Sequence, residues 1–332
     1  MKKRLLNTVL PVLFAAFFLW IAFGTVDLAE LWNQIGEVTY GWLPGFIVML
    51  LLSHFLRAER WRMLLPAQGK GISRITLFSA VMLGYFMNNF IPRLGEISRP
   101  VYLAKKEELN AGNLIGTIVA ERIFDLLVML ALMFFSLIWL VSDPQLISQL
   151  LGVDTWNPFY SVLIPVVMAL LLIFLWVFYR LLLFAENRIS VRNAVLSGIV
   201  KFGRSFGEGM ISLRRVNHWP KFLLYTAAIW LGYISMAYLP FYMLSLQEIY
   251  GLTFNDAVVL TVVSSVGVSV PTPGAIGSYH LLIQQSMWLL YEIPLARALT
   301  YATVVHAVTF ISITLLTPFI LWADKASGMK RS

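Results

Sequence analysis

The fold is decided by a polar interruption in an otherwise apolar chain, Asn88-Asn89-Phe90-Ile91-Pro92-Arg93-Leu94-Gly95-Glu96-Ile97-Ser98-Arg99-Pro100. Pro92 and Pro100 each remove a backbone donor, and Gly95 loosens the chain between them, so the two prolines are expected to prevent a regular helix in this segment. Non-helical backbone at membrane depth is tolerated only where protein buries it or where it lines a water-filled cavity. Two interpretations are open: a cytoplasmic loop after an ordinary span, or a re-entrant hairpin that carries a polar site. The rest of the chain favours the hairpin.

The composition is that of a membrane protein. Of the 332 residues, 59% are hydrophobic and 13% are charged, with a mean hydropathy of +0.78, whereas soluble domains carry about 25% charged residues. The absence of cysteine excludes disulfides, thiol catalysis and cysteine metal sites, and we expect neither a metal nor a cofactor. The net charge of +8 is carried between apolar runs, which favours anionic lipid headgroups over nucleic acid as partners.

Six apolar runs are long enough to cross about 30 Å of hydrocarbon. They cover residues 6–24, 41–56, 114–141, 159–184, 222–245 and 298–322. The chain is therefore predicted to be an all-α polytopic membrane protein with about six full spans, forming a single transmembrane domain over residues 1–332. Two further runs are interrupted by proline, glycine and polar residues, and they belong to regions of about 76–106 and 257–291.

The distribution of charge predicts the topology of these two regions. Basic residues flank the first region on both sides, whereas Asp256 and Glu292 flank the second. By the positive-inside rule both termini are cytoplasmic, and each region enters and leaves the membrane on one face. Two re-entrant hairpins from opposite faces are typical of an inverted repeat, as in transporters. We expect a multi-pass protein of the plasma or inner membrane.

A basic segment at about 188–217 mixes Lys and Arg with apolar residues. It is predicted to be an amphipathic helix on the cytoplasmic leaflet. A plain positive-inside loop explains the same composition, and the sequence leaves the two alternatives open.

The first of three polar clusters combines the end of the second span with the first hairpin. Arg57 and Arg60 are joined there by further polar candidates, Asn89, Arg93, Glu96 and Arg99. Guanidinium groups bind phosphate through paired hydrogen bonds, so the cluster is a candidate headgroup site. The alternative for Arg60 and Arg62 is that they are interfacial anchors beside Trp61.

The second cluster lies within the third apolar run. Glu121 and Asp125 are four residues apart and share a helix face, and Arg122 is three residues from Asp125. Each charge at bilayer depth costs about 2.5–3.5 kcal/mol, so these residues are expected to face the interior near the hairpin arginines. The alternative is a purely structural ion network.

The third cluster is the predicted tip of the second hairpin. Pro271, Pro273, Gly274 and Gly277 break the helix there, and His280 follows. The freed backbone donors and the next helix start would favour an anion, so these residues, with Pro92 and Gly95 of the first hairpin, are candidate hinges. The alternative is that the glycines serve tight packing.

These motifs together resemble the lysylphosphatidylglycerol synthase transmembrane-region family of flippase-like membrane proteins. The residues that carry the resemblance are Arg57-Ala58-Glu59-Arg60-Trp61, Asn89, Pro92-Arg93-Leu94-Gly95-Glu96, Arg99, Glu121-Arg122, Asp125 and Pro271-Thr272-Pro273-Gly274-Ala275-Ile276-Gly277. The family includes the membrane half of the multiple peptide resistance factor, which makes and flips aminoacylated phosphatidylglycerol. Ala275 and His280 depart from the pattern, which more often has glycine and glutamate there.

The resemblance implies a lipid translocase for an anionic or aminoacylated phospholipid or a polyprenyl-phosphate-linked lipid. No synthase domain follows Trp322 in this sequence, so we expect transport rather than lysyl transfer. Two alternatives remain open: a membrane enzyme acting on a lipid phosphate, and a non-transporting scaffold. The candidate partners are the lipid substrate, a second copy of the chain in a homodimer, and a lipid-modifying enzyme.

Overall fold

The computed structural model describes residues 2–66, 69, 71–141 and 216–329. The predicted span at 159–184 lies outside these residues, as does nearly all of the basic segment at 188–217. The described residues are helical and contain no strand. Their α-helices are α1 Lys2–Gly24, α2 Leu28–Gly36, α3 Leu43–Arg62, α4 Arg74–Phe90, α5 Gly95–Lys106, α6 Ala111–Val141, α7 Trp219–Met243, α8 Leu246–Tyr250, α9 Phe254–Ser269, α10 Ser278–Tyr291 and α11 Leu295–Met329.

Three helical segments of the described chain are long and apolar enough to cross a membrane: Tyr40–Arg62, Trp219–Met243 and Leu295–Ser327. The pair Leu10–Gly24 and Leu28–Gly36, bent by 86° at the break between them, would be a fourth. The predicted class of multi-pass helical membrane protein is therefore confirmed, whereas the count of six spans is not.

The helices group into two units, which are described separately. Residues 1–114 and 218–332 form the first unit, and residues 115–217 belong to the second, of which α6 is described as far as Val141. The single domain predicted for the whole chain stays a prediction.

The first predicted hairpin is a pair of packed helices, α4 and α5. Residues 91–94 form the turn, and Gly84 of α4 meets Gly95 of α5 at backbone contact. The expectation that Pro100 also breaks the chain is wrong, because α5 continues through it. Pro100 removes only one helical hydrogen bond, to the carbonyl of Glu96, so the irregular backbone is confined to four residues.

The second predicted hairpin is the packed pair α9 and α10. Between them, residues 270–277 leave the α-helix and include the short 3₁₀ turn Pro273–Ala275. Its packing partners are α7, α11 and α1. The main apolar core of the first unit lies between this hairpin, α7 and α11, around Phe241, Tyr279 and Tyr301.

The hairpins approach α11 from opposite ends. Along the first hairpin, Thr76 bonds Asp324 and Asn89 bonds Thr314, so α4 runs antiparallel to α11. Along the second, Gln284 bonds the Leu295 carbonyl and Gly274 bonds His306. Both tips therefore reach the middle third of α11, a helix of 35 residues that is about 52 Å long.

The order of elements repeats along the chain. A helix of span length, a helical hairpin and a long helix occur first as α3, α4–α5 and α6, and again as α7, α9–α10 and α11. The two leading helices of these series are antiparallel, since Gly45 packs on Leu239 while Arg60 bonds Thr226.

Candidate functional site

The tips of the two hairpins meet beside α11. Asn89 Nδ2 donates to the Phe310 carbonyl at 3.3 Å and to Thr314 Oγ1 at 3.1 Å. From the other hairpin, the Gly274 carbonyl lies 2.7 Å from His306 Nε2. A Cβ on Gly274 would lie 3.1 Å from the Asn89 carbonyl oxygen, so little space separates the tips. A polar junction therefore lies halfway along a membrane-length helix.

The turn of the first hairpin projects a charged side chain. Arg93 is exposed and has a left-handed backbone, with φ of 62°. Pro92 precedes it in the turn, and Glu96 is half-buried in the first turn of α5. The Gly95 amide donates to Asn88 Oδ1 at 2.6 Å, which satisfies one of the free donors of this helix start.

A buried arginine cluster, formed by Arg57, Arg60 and Arg99, lies where α3, α4, α5 and α7 pack together. Arg57 Nη1 donates to the hydroxyls of Tyr85 and Tyr233, the second at 3.2 Å. The ring of Tyr85 in turn stacks on His54, with centroids 3.9 Å apart. Neither tyrosine was a candidate from sequence, because a tyrosine in an apolar helix carries no signal of its partner.

The other two members of the buried arginine cluster stack on aromatic rings. The guanidinium carbon of Arg99 lies 4.0 Å from the centre of the Trp61 ring, within range of a cation–π interaction. Arg60 lies over Phe222 and donates to Thr226 Oγ1 at 3.3 Å. Its exposed fraction is 0%, so the alternative that Arg60 is an interfacial anchor is wrong.

The backbone of the second hairpin is irregular at three positions of its tip. Gly274, Ala275 and Gly277 all have positive φ, of 57°, 61° and 86°. Pro271 is exposed, whereas Pro273 is half-buried at the start of the 3₁₀ turn. Ala275 thus occupies a conformation that favours glycine.

Gly277 and the start of α10 are closely packed. A Cβ on Gly277 would lie 2.6 Å from the Ala15 carbonyl oxygen of α1, and Ser278 Oγ donates to the Gly267 carbonyl at 2.9 Å. These contacts support the packing alternative for Gly277. His280 is buried beside them, with its ring 4.8 Å from that of His306. His306 was missed because a single histidine in a long apolar run gives no pattern.

The three charged residues predicted on the third span lie on α6. Glu121 is buried, Asp125 is half-buried and Arg122 is exposed. They belong to the second unit, so their approach to the hairpin arginines stays a prediction.

A buried carboxylate that the sequence did not single out connects the first hairpin to α11. Asp324 is 0% exposed and accepts hydrogen bonds from Thr76 Oγ1 at 2.7 Å and the Tyr102 hydroxyl at 2.5 Å. Lys106 Nζ forms an ion pair with it at 2.5 Å. Both limbs of the hairpin are thereby attached to one acidic side chain. Its only sequence signal is an aspartate directly after an apolar run.

Among the described residues, no group of three or more His, Cys, Asp or Glu is placed to hold a metal ion.

Comparisons with known proteins agree with the membrane architecture. The family model described as the lysylphosphatidylglycerol synthase TM region matches residues 8–317. A UPF0104 membrane protein of Methanocaldococcus jannaschii is 35% identical over 96 residues, a match that spans 28% of this chain and 27% of that relative. No solved structure matches the chain significantly. Because the family model covers nearly the whole sequence, this multi-pass membrane protein belongs to the lysylphosphatidylglycerol synthase transmembrane-region family.

Proposed function

We propose that the protein is a lipid translocase, which moves an anionic or aminoacylated phospholipid or a polyprenyl-phosphate-linked lipid between leaflets. One observation carries the proposal. Two helical hairpins approach α11 from opposite ends, and their irregular tips meet at its middle through Asn89, Gly274 and His306. Broken helices that meet near the midplane are typical of transport sites.

The repeated order of elements supports an inverted repeat in this proposal. The α3 series and the α7 series each contain a span, a hairpin and a long helix, and their first helices are antiparallel. If one series is the inverted copy of the other, each hairpin is re-entrant from its own face. Movement of the hairpins relative to α3 and α7 would then open the tip junction to one leaflet at a time. We propose, on the positive-inside rule, that both termini are cytoplasmic in the plasma membrane.

The buried arginine cluster is the proposed binding site for the headgroup phosphate. Arginines inside a membrane domain are costly and mark substrate pathways, and Arg57 and Arg99 already present their guanidinium groups to polar or aromatic partners. In this proposal Arg93 makes first contact with the headgroup from the exposed turn. Glu96, in the same hairpin, balances charge beside Arg93 as the headgroup passes, and Glu121, Arg122 and Asp125 of the second unit stay predicted site residues.

The experiment is a leaflet-exchange assay in proteoliposomes containing fluorescent lipids with anionic, zwitterionic and aminoacylated headgroups. The wild type should accelerate exchange of anionic or aminoacylated lipids. Arg93→Gln should lower this rate by about tenfold, because a charge-assisted hydrogen bond contributes about 1.5–3 kcal/mol. Arg297→Gln is the matched control, since Arg297 lies half-buried at the distant start of α11, and it should retain the wild-type rate.

A second measurement tests the hairpin movement itself. The chain has no cysteine, so cysteines introduced at Phe90 and Pro273, one in each tip, can be bridged by a short thiol-reactive cross-linker. Bridging should stop exchange, and a cleavable cross-linker should restore it on reduction. Undiminished exchange in the bridged protein contradicts the hairpin mechanism. Absence of exchange by the wild type under several ion gradients would favour the scaffold, and chemical change of the lipid would favour the enzyme.

A further inference from the structure

An apolar groove lies outside the proposed translocation site, on the surface between α3, α4 and α11. It is an open groove of about 450 Å³, a volume within the range of roughly 300–1,000 Å³ typical of small-molecule sites. Its lining is entirely apolar and consists of Leu51, Leu52, Phe55, Ile75, Phe78, Leu316, Phe319, Ile320 and Ala323. Two of its three walls, α3 and α11, belong to segments that are long and apolar enough to cross a membrane.

Charged side chains lie about one helical turn beyond one end of this groove. On α3, Glu59 follows the lining residue Phe55 by four positions, and Arg62 follows Glu59 by three, which places them on the same stripe. On α4, Arg74 precedes the lining residue Phe78 by four positions and shares its face. The charged side chains of the two helices meet: Glu59 Oε1 lies 3.3 Å from Arg62 Nη2 on α3 and 3.6 Å from Arg74 Nε at the start of α4.

The positive charge of Arg62 and Arg74, beyond the end of the groove, is incompletely balanced by Glu59. Two guanidinium groups share one carboxylate, and the Arg74 side chain is 71% exposed. Arg62 Nε is buried and makes no hydrogen bond within the described part of the chain. An anion at this position would therefore lie beside two cationic groups that can donate hydrogen bonds, beyond the end of the apolar groove.

We propose that this groove is a binding site for an anionic phospholipid of the surrounding bilayer. One acyl chain lies against Phe55, Phe78 and Phe319, and the phosphate accepts hydrogen bonds from Arg62 and Arg74. The occupant is a bilayer phospholipid because the site matches the two parts of such a lipid. Its cationic end suits the anionic headgroup, and its apolar groove suits an acyl chain. A second copy of this chain would instead need acidic groups opposite Arg74 and an apolar ridge, and its presence is an outcome of the test below.

This site is separate from the one proposed for translocation. The buried arginine cluster faces α7 through Thr226 and Tyr233 and includes Arg99 of α5, which stacks on Trp61, whereas the groove lies where α3 and α4 meet α11. A lipid in the groove would contact both α4 and α11. These two helices pack together and position the first hairpin. The site therefore fits a structural or modulating lipid. Its anionic headgroup would compete with Glu59 for Arg62 and Arg74.

The test uses the full chain reconstituted in vesicles with a fluorophore on one introduced cysteine and brominated lipids as quenchers. The label at Ala323→Cys reports the groove, and the label at Leu224→Cys, on the exposed surface of α7, is the matched control. Brominated phosphatidylglycerol should quench the groove label with an apparent affinity about fivefold higher than brominated phosphatidylcholine. The control label should show no preference.

Two charge variants with opposite signs sharpen the test. Arg74→Gln should reduce the preference for phosphatidylglycerol at the groove label about threefold, whereas Glu59→Gln should increase it. Arg93→Gln should leave this preference unchanged, so failure of the translocase proposal does not affect the result. Equal quenching by the two lipids in the wild type overturns the proposal. A groove label shielded from both lipids, together with disulfide-linked dimers of the unlabelled Ala323→Cys protein, overturns it in favour of a second copy.

Discussion

The two hairpins reach the same place on α11 by different physical means. The first is held by charge: its two limbs converge on Asp324 through Lys106, Tyr102 and Thr76. The second contains no Lys, Arg, Asp or Glu between residues 257 and 291. It is held by close packing instead, most tightly where Gly277 meets the backbone of α1.

This difference predicts where each hairpin is vulnerable. Removal of a buried carboxylate is strongly destabilising, because the hydrogen-bond donors that it satisfied are left without an acceptor. A packed contact between backbones tolerates loss of volume but not gain, because neither backbone can move without shifting its helix. The attachment of the first hairpin to α11 should therefore be sensitive to loss of charge, and the packing of the second hairpin against α1 to added methyl groups.

The largest effect is expected at Asp324. Asp324→Ala removes the buried carboxylate that accepts hydrogen bonds from Thr76 and Tyr102 and pairs with Lys106. Because hydrogen bonds to a charged group contribute about 1.5–3 kcal/mol each, the free energy of unfolding should fall by about 3–5 kcal/mol. Asp324→Asn keeps the size and part of the hydrogen bonding, so its loss should be smaller. Chemical unfolding in detergent micelles measures both. Equal stability of Asp324→Ala and the wild type would show that charge does not hold the first hairpin.

The second largest effect is expected at Gly277. Gly277→Ala should cost about 2–4 kcal/mol, because backbone strain at positive φ, of about 1–3 kcal/mol, adds to a clash with the Ala15 carbonyl. Gly251→Ala separates the two contributions, since Gly251 has φ of 69° but nothing within 4 Å of an added Cβ. Similar losses in the two variants, measured by the same unfolding titration, would attribute the effect to strain alone.

A close approach within the first hairpin predicts a smaller loss. In Gly95→Ala the added Cβ would lie 2.1 Å from the Gly84 carbonyl oxygen, and separation of α4 from α5 should cost about 1–3 kcal/mol. Gly45→Ala, whose Cβ would lie 3.9 Å from a Leu239 methyl, should be neutral or stabilising. Thermal unfolding in detergent compares the pair. A neutral Gly95→Ala would mean that the hairpin limbs yield easily.

The smallest effect, with the opposite sign, is expected at Ala275. Ala275→Gly relieves a left-handed strain of roughly 1–2 kcal/mol and adds a glycine entropy cost of roughly 0.5–1 kcal/mol. The net gain in stability should be about 0.5 kcal/mol, visible as a small rise in the thermal midpoint. The turn of the first hairpin contains a comparable position, Arg93, with φ of 62°, and Arg93→Gly should show a similar gain. A loss in either variant would contradict the strain argument.

The turns of both hairpins were predictable from the sequence, but the course of α5 through Pro100 and the burial of Arg60 were not. Proline, glycine and amide side chains mark the turns at residues 91–94 and 270–277, since such residues act on the backbone next to them. The same reasoning placed a break at Pro100, where α5 continues, because packing of α5 on α4 outweighs one lost hydrogen bond. Arg60 was compatible with an interfacial anchor, and only its packing against Thr226 and Phe222 shows it to be buried.

The sequence by itself determined the membrane class, the positions of the described spans and the two interruptions. These properties follow from local composition and from the length needed to cross hydrocarbon. The tertiary structure alone decided that Thr76 and Asp324, 248 residues apart, are bonded, and that Asn89 and Gly274 lie at one junction. It also decided which arginines are buried. Such contacts depend on how helices pack over long separations, and the hydrophobic pattern of each helix is compatible with many partners.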